Sequence, residues 1–311
     1  MKLYAKQYLG IEPEFTRPET SAFCILPFPY EGGVSYGKGT AGAPDVVIDA
    51  SAFVELYDEV IDAEMYRVGI TTVQPPVLSV NHEAMFQQIY SASKELLDQD
   101  KFVIVIGGDH SISSGYFKAL HEKYDTLSCI QLDAHSDLRE SYEGSKLSHA
   151  SVMSRIREMT PHTLQIGIRS MCVEEAEQIK AEKIPVCTMH QYRKGLFDID
   201  KALHNLPDPV FITFDVDVFD WSIISSTGTP EPGGLLWDET MDLLQKIFAR
   251  KNVVGFDVVE LSAREGDDNS PFAIAKLIYK MIGFKVLSAF PQDKIHSFRT
   301  PNGPLFKHSI K

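Results

Sequence analysis

The chain has 311 residues, 44% hydrophobic and 23% charged, the make-up of a globular protein and not of a disordered or fibrous one. Its 30 Lys+Arg against 43 Asp+Glu leave a formal charge of −13, which argues against a nucleic-acid surface and suits a small cationic ligand. No run approaches the ~18 apolar residues of a membrane span, and no apolar leader follows Met1, so a soluble cytoplasmic protein with no membrane partner is expected.

In chain order, short apolar and β-branched runs predict strands at 23–26, 102–106, 128–132, 163–168, 184–188, 210–214 and 253–259. Apolar residues at three- and four-residue spacing predict helices at 82–99, 111–124, 148–158, 173–182, 199–206, 238–250 and 270–283. The pattern at 82–99, with Ala84, Phe86, Ile89, Tyr90, Leu96 and Leu97, is the clearest. This alternation predicts a single three-layer α/β/α domain over 1–311 with a mostly parallel sheet. Two stretches read as irregular functional loops: 27–47, with five glycines and three prolines, and 220–237. The four cysteines, Cys24, Cys129, Cys172 and Cys187, have no C-x-x-C spacing and read as reduced thiols.

A ligand site in such an architecture lies beyond the carboxyl ends of the strands. Three predicted strand ends are unusually polar. In Gly107-Gly108-Asp109-His110-Ser111, glycines let the chain turn sharply and direct His110 into the crevice. On its own this is equally a capping turn. In Asp133-Ala134-His135-Ser136-Asp137, residues two apart share a face of extended backbone, so three ionisable groups line one surface. In Phe214-Asp215-Val216-Asp217-Val218, two carboxylates share a face in an apolar setting, where each raises the other's pKa unless a cation sits between them.

Together the strand ends supply His110, Asp133, His135, Asp137, Asp215 and Asp217. Carboxylates and imidazoles without thiolate favour Mn²⁺ or a similar oxygen-preferring ion. Six ligands suit two metals per chain rather than one tetrahedral ion, and two ions ~3.5–4 Å apart can turn a shared water into a nucleophile near neutral pH.

These motifs resemble the ureohydrolase family of arginases, agmatinases and their relatives. The resemblance runs from about residue 23 to 283, through 35–40 (Ser-Tyr-Gly-Lys-Gly-Thr) and 227–235 (Thr-Gly-Thr-Pro-Glu-Pro-Gly-Gly-Leu). It implies an arginase/deacetylase-like fold, a dinuclear manganese centre that hydrolyses a guanidinium to amine and urea, and a homo-oligomer, trimeric or hexameric. It also implies one metal held by His110, Asp133, Asp137 and Asp215, and the other by Asp133, His135, Asp215 and Asp217. His149, in Leu147-Ser148-His149-Ala150, falls where the family places its proton-shuttling histidine. Glu260 falls where it holds a carboxylate against the guanidinium. Trp221 and Ser262-Ala263 depart from the family's usual prolines and asparagine near the site.

Where arginases carry an Asn and an Asp that fix the amino-acid end of arginine, this chain has Arg139 and Cys172. Cys172 cannot pair with an α-ammonium as an Asp can. The resemblance is therefore to agmatinases, with agmatine cleaved to putrescine and urea in polyamine biosynthesis. Aminopropylagmatine, whose distal amines could meet Glu140, Glu143 or Glu174, guanidinobutyrate and arginine are the other guanidines considered. A non-catalytic metal-binding protein would need the six ligands but not His149 or Glu260. A deacetylase would use one zinc and a different ligand pattern.

Overall fold

In a computed structural model, which describes residues 1–33, 36–79, 81–290, 295 and 298, the apolar runs become eight parallel strands among the described residues. They are β1 (Phe23–Phe28), β2 (Ile70–Thr72), β3 (Phe102–Gly107), β4 (Ser128–Leu132), β5 (Thr163–Ile168), β6 (Val186–Thr188), β7 (Val210–Asp215) and β8 (Val253–Val259). The sheet order is β2-β1-β3-β8-β7-β4-β5-β6, and every neighbouring pair is parallel. A sheet of this kind must be covered on both faces, which is why its strands read as near-continuous apolar runs.

The side chains alternate between two cores. In β1, Phe23 and Ile25 face one core while Cys24, Leu26 and Phe28 face the other; in β3, Phe102, Ile104 and Ile106 oppose Val103 and Val105. The helices are α1 (Ala43–Ser51), α2 (His82–Leu97), α3 (Ile112–His121), α4 (Val152–Met159), α5 (Val173–Glu182), α6 (Met189–Lys194), α7 (Ile199–Asn205), α8 (Trp237–Arg250) and α9 (Asn269–Ala289). The first face is covered by α1, α8 and α9, through residues such as Val47, Leu244 and Ile278. The second is covered by α2, α3 and α4, through Ile89, Phe117 and Ile156. The described residues thus form the single three-layer α/β/α domain expected from the sequence, with a sheet that is wholly parallel.

Several elements depart from the pattern-based reading. Part of 27–47 is regular, because Pro27 and Phe28 complete β1 and α1 begins at Ala43. Pro27 is tolerated because it shares a side with Ile25, whose carbonyl bonds to Val73, and β2 has ended before Pro27 needs a donor. Pro44 sits in the first turn of α1, where its missing N–H costs nothing. The three-residue edge strand β2 is too short to leave a periodic signal. The six-residue α6 is set by its ends, with Thr188 and Gln191 capping reciprocally and Gly195 closing it at φ +62°. Strand β6 begins at Val186, and 149–151 form a 3₁₀ turn before α4.

The order of strands decides where the chemistry collects. Strands β3, β8, β7 and β4 are consecutive at the centre of the sheet. Their carboxyl ends lead directly into His110, Glu260, Asp215–Asp217 and the 133–137 segment respectively.

Candidate metal centre and its cavity

The turn after β3 depends on close backbone approach rather than on unusual dihedral angles. A Cβ on Gly108 would lie 1.9 Å from the Tyr30 carbonyl oxygen, and one on Gly107 would lie 2.4 Å from Ile112 Cδ1. Glycine lets the chain pass under Tyr30, whose carbonyl accepts the Asp109 N–H at 2.9 Å, and the next residue, His110, is then buried over β7.

Three strand ends use one device. Each carries an Asp whose Oδ1 accepts the main-chain N–H two residues on: Asp109 from Ser111 at 2.9 Å, Asp133 from His135 at 2.5 Å and Asp215 from Asp217 at 2.9 Å. One oxygen folds the loop while the other is free to face elsewhere. Oδ2 of Asp133 and of Asp215 lie 3.2 and 3.3 Å from His110 Nδ1, which also has Asp137 Oδ2 at 3.0 Å. Asp217 repeats the division, with Oδ1 on the Ala134 N–H at 2.9 Å and Oδ2 2.9 Å from His135 Nδ1. Asp133 Oδ1 is 3.6 Å from the same nitrogen. The backbone therefore fixes these carboxylates before any ligand arrives. Asp137 is not in extended backbone: its φ is +51°, and it joins the cluster through a left-handed turn instead of a shared strand face.

The structure thus brings all six expected ligands together, in two groups that share Asp133. His110, Asp133 and Asp137 lie in one, and Asp133, His135 and Asp217 in the other; each offers atoms within 4.8 Å of one another. The first group is extended by Asp215 through its contact with His110.

The electrostatics fit a cation. His110 Nε2 lies 2.8 Å from Thr213 Oγ1, and Thr213 in turn donates to Ser113 Oγ at 3.2 Å. That chain makes Nε2 the donor and turns the lone pair of Nδ1 toward three carboxylate oxygens, an arrangement that needs positive charge between them. Burial opposes charge on His110, but Asp133, Asp137 and Asp215 hold its pKa well above the usual value. Burial and the charge of Asp133 push Asp137 up to about 7, and burial with Asp217 and Asp133 raises Asp215 well above the carboxylate range. An oxygen- and imidazole-rich set of this kind fits two divalent ions of the harder sort.

Several supporting residues gave no sequence signal. Behind His110 stand Thr213, Ser113 and the fully buried Asp257, whose Oδ1 accepts the Phe214 N–H at 3.3 Å. Gln131 donates to Asp133 Oδ2 at 2.7 Å and is itself held by Gln165. Arg169 donates to the carbonyls of Asp217 and Glu231, both at 2.7 Å, tying the 231–235 loop to the end of β7. Thr213, Asp257, Gln131 and Gln165 are buried polar residues inside apolar strands, a pattern whose meaning is visible only once the faces of the sheet are known.

Glu260 is positioned by its own backbone strain and by its neighbours. It follows β8 with φ +68°, donates its N–H to Gly108 O at 2.8 Å and accepts the His110 N–H on Oε1 at 2.6 Å. A non-glycine residue held at positive φ at a strand end is a feature of functional sites. Oε2 faces Gly228, where a Cβ would be 3.6 Å away. Burial and the Asp109 charge raise the Glu260 carboxyl well above its usual range. His149 lies across the same cavity, where burial lowers its pKa and favours the neutral imidazole. It is tied to the centre by the main chain, since Asp137 O accepts the N–H groups of Met153 and Ser154 and Arg139 N–H donates to Ala150 O.

The cavity over these groups is ≈ 240 Å³, and its lining includes His110, His135, Asp137, Asp215, Asp217, His149 and Glu260. Arg139 and Cys172 line it too, as does Glu175, whose carboxylate is spent on the N–H groups of Leu138 and Cys172. The departures Trp221, Ser262 and Ala263 do not line it. The Trp221 side chain is exposed, and the Ser262 and Ala263 N–H groups bond to Ser226 O and Gly39 O. Ser35 lies outside the described residues.

A parallel sheet of this order with a buried carboxylate–histidine centre at its middle strand ends defines an arginase-like α/β protein. Comparison with known proteins agrees. The arginase family matches residues 21–283 of this chain. The N(1)-aminopropylagmatine ureohydrolase of Synechocystis sp. is 36% identical, with 90% of this chain and 94% of that protein covered. The agmatinase of Pyrococcus horikoshii is 32% identical, with 91% and 99% covered. Among solved structures, the agmatine ureohydrolase of Thermoplasma volcanium superposes with a TM-score of 0.79 at 28% identity, with 86% of this chain and 91% of that one covered. The chain belongs to the arginase family and is a ureohydrolase.

Proposed function

We propose that this ureohydrolase cleaves agmatine to putrescine and urea in the cytoplasm, as a homo-oligomer with two Mn²⁺ ions per chain. The ions would be held by His110, Asp133, His135, Asp137, Asp215 and Asp217. The observation that carries the reading is a single cavity lined by most of that cluster together with His149 and Glu260. Ions held there would supply a nucleophilic water near neutral pH.

The chain's own residues supply the rest. Glu260 offers Oε2 to the cationic guanidinium while Oε1 stays on the His110 N–H, so the substrate's charge compensates a carboxylate that burial otherwise protonates. Water oxygen adds to the guanidinium carbon, the bond to the alkyl-bearing nitrogen breaks, and that nitrogen needs a proton as it leaves. His149 delivers it as general acid; its neutral resting state lets it take the proton from the attacking water first. Arg139 and Cys172 stand in the lining where arginases carry the Asn and Asp that fix arginine's amino-acid end, and the Glu175 carboxylate beside them is committed to two main-chain N–H groups, which supports a substrate with no amino-acid head group.

A second reading, aminopropylagmatine, is favoured by one feature. A side cavity of ≈ 340 Å³ shares Arg139, Cys172 and Glu175 with the main one and adds Glu140 and Glu174, room and charge for a longer amine tail. Glu140 is partly committed to Lys146 and Arg155. Urea release from Mn²⁺-loaded protein, measured with agmatine, aminopropylagmatine, guanidinobutyrate and arginine at one concentration, tests both. Preference for agmatine supports the proposal, preference for the longer amine selects the second reading, and preference for either carboxylate-bearing guanidine overturns both.

A further inference from the structure

The 139–150 segment carries an aromatic contact that the chemistry above does not use. Tyr142 and Ser145 exchange both main-chain hydrogen bonds at 2.9 Å, and the two residues between them, Glu143 and Gly144, have φ +48° and +83°. This is a two-residue hairpin turn of the kind that fixes its flanking side chains closely. It presents the Tyr142 ring to His149: the ring centroids are 5.4 Å apart and the planes near-perpendicular at 76°. The ring is held from another side as well. The Arg139 guanidinium carbon lies 5.5 Å from the Tyr142 centroid, and among the described residues that guanidinium has no carboxylate at ion-pair distance. Arg139 also donates its N–H to Ala150 O at 3.2 Å, so the residue that rests on the ring is stitched to the turn bearing His149. All three side chains line the cavity.

We propose that Tyr142 is a positioning residue for His149: its ring, backed by Arg139, restricts the imidazole to the orientation that faces the departing nitrogen. The inference rests on the reading of His149 as proton donor. An imidazole at the wall of an open cavity has two soft torsions, and proton transfer requires one nitrogen at hydrogen-bond distance from its target. Among the described residues the Tyr142 hydroxyl makes no hydrogen bond, so the ring carries the effect.

The test is a double-mutant cycle on the metal-loaded enzyme, with kcat, KM and metal content read for each protein. Tyr142→Ala is expected to lower kcat by about ten- to a hundredfold, with both metals retained and KM changed little. Tyr142→Phe is expected to recover most of that loss, which also guards against a folding defect. In the His149→Ala background, Tyr142→Ala is expected to cost nothing further. A full Tyr142→Ala loss that persists without His149, or no loss in the single variant while His149→Ala is slow, would overturn the positioning role alone. An unaffected His149→Ala would instead overturn the proton-donor reading, and this inference with it.

Discussion

The two ends of the central strands both bury charge, and they do so in opposite ways. At the carboxyl ends, four Asp and two His converge, each carboxylate with a main-chain or side-chain partner, and two of them, Asp137 and Asp215, raised in pKa by burial and by neighbouring carboxylates. At the amino ends, near Phe102 and Asn252, a cation is buried with no carboxylate at ion-pair distance among the described residues: Lys285 of α9 is 2% exposed, 3.3 Å from Asn252 Oδ1 and over the Phe102 ring. Burial pushes its pKa down to about 8. Like charges prearranged on fixed loops mark a place where an opposite charge binds. A single buried cation with one amide and one ring for company is only a cost to stability.

The carboxyl-end cluster is most vulnerable at Asp133, the carboxylate common to both groups. Asp133→Asn is expected to abolish urea release, by at least about a thousandfold, through loss of the shared charge. Near-normal turnover in a fully loaded variant would show that the cluster is not organised around this residue. His149→Ala comes next, with an expected loss of about 10²–10⁴ in the chemical step and unchanged metal content. Removing the metals with a chelator is expected to lower the melting temperature, because ions bound only by the folded state stabilise it by about 3 kcal/mol per site at a hundredfold excess over Kd. A metal-independent melting temperature would mean that the cluster does not bind ions tightly.

The smallest effect belongs to the amino ends. Between pH ~8 and ~10.5 the unfolded chain holds a proton on Lys285 that the folded chain does not, so this residue makes stability rise with pH across that window. Lys285→Met is expected to remove that rise and to stabilise the protein at pH 7 by about 3 kcal/mol. Unchanged stability at both pH values would show that Lys285 reaches water by snorkelling.

Much of this organisation was readable from the chain. Seven of the strands left continuous apolar runs, and the ligand-bearing ends stood out because ionisable residues directly after such runs are costly to bury. The failures have physical causes. Strand β2 and helix α6 are too short for periodicity, and α1 was hidden because Pro44 and the glycines before it usually break elements, whereas here they start one. Extended geometry was the wrong reason for the convergence of Asp133, His135 and Asp137, since Asp137 enters through positive φ. Asp257, Gln131, Arg169 and Tyr142 could not be singled out. Their roles come from neighbours brought in by the sheet order β3-β8-β7-β4, and spacing along the chain does not encode that order.

The most direct test of a two-ion centre is a metal titration of the metal-free protein with Mn²⁺, following bound ions and urea release from agmatine in the same samples. Activity is expected to climb to its maximum as occupancy approaches two ions per chain. Full activity at one ion per chain, or two bound ions with no urea from any guanidine, would contradict that expectation.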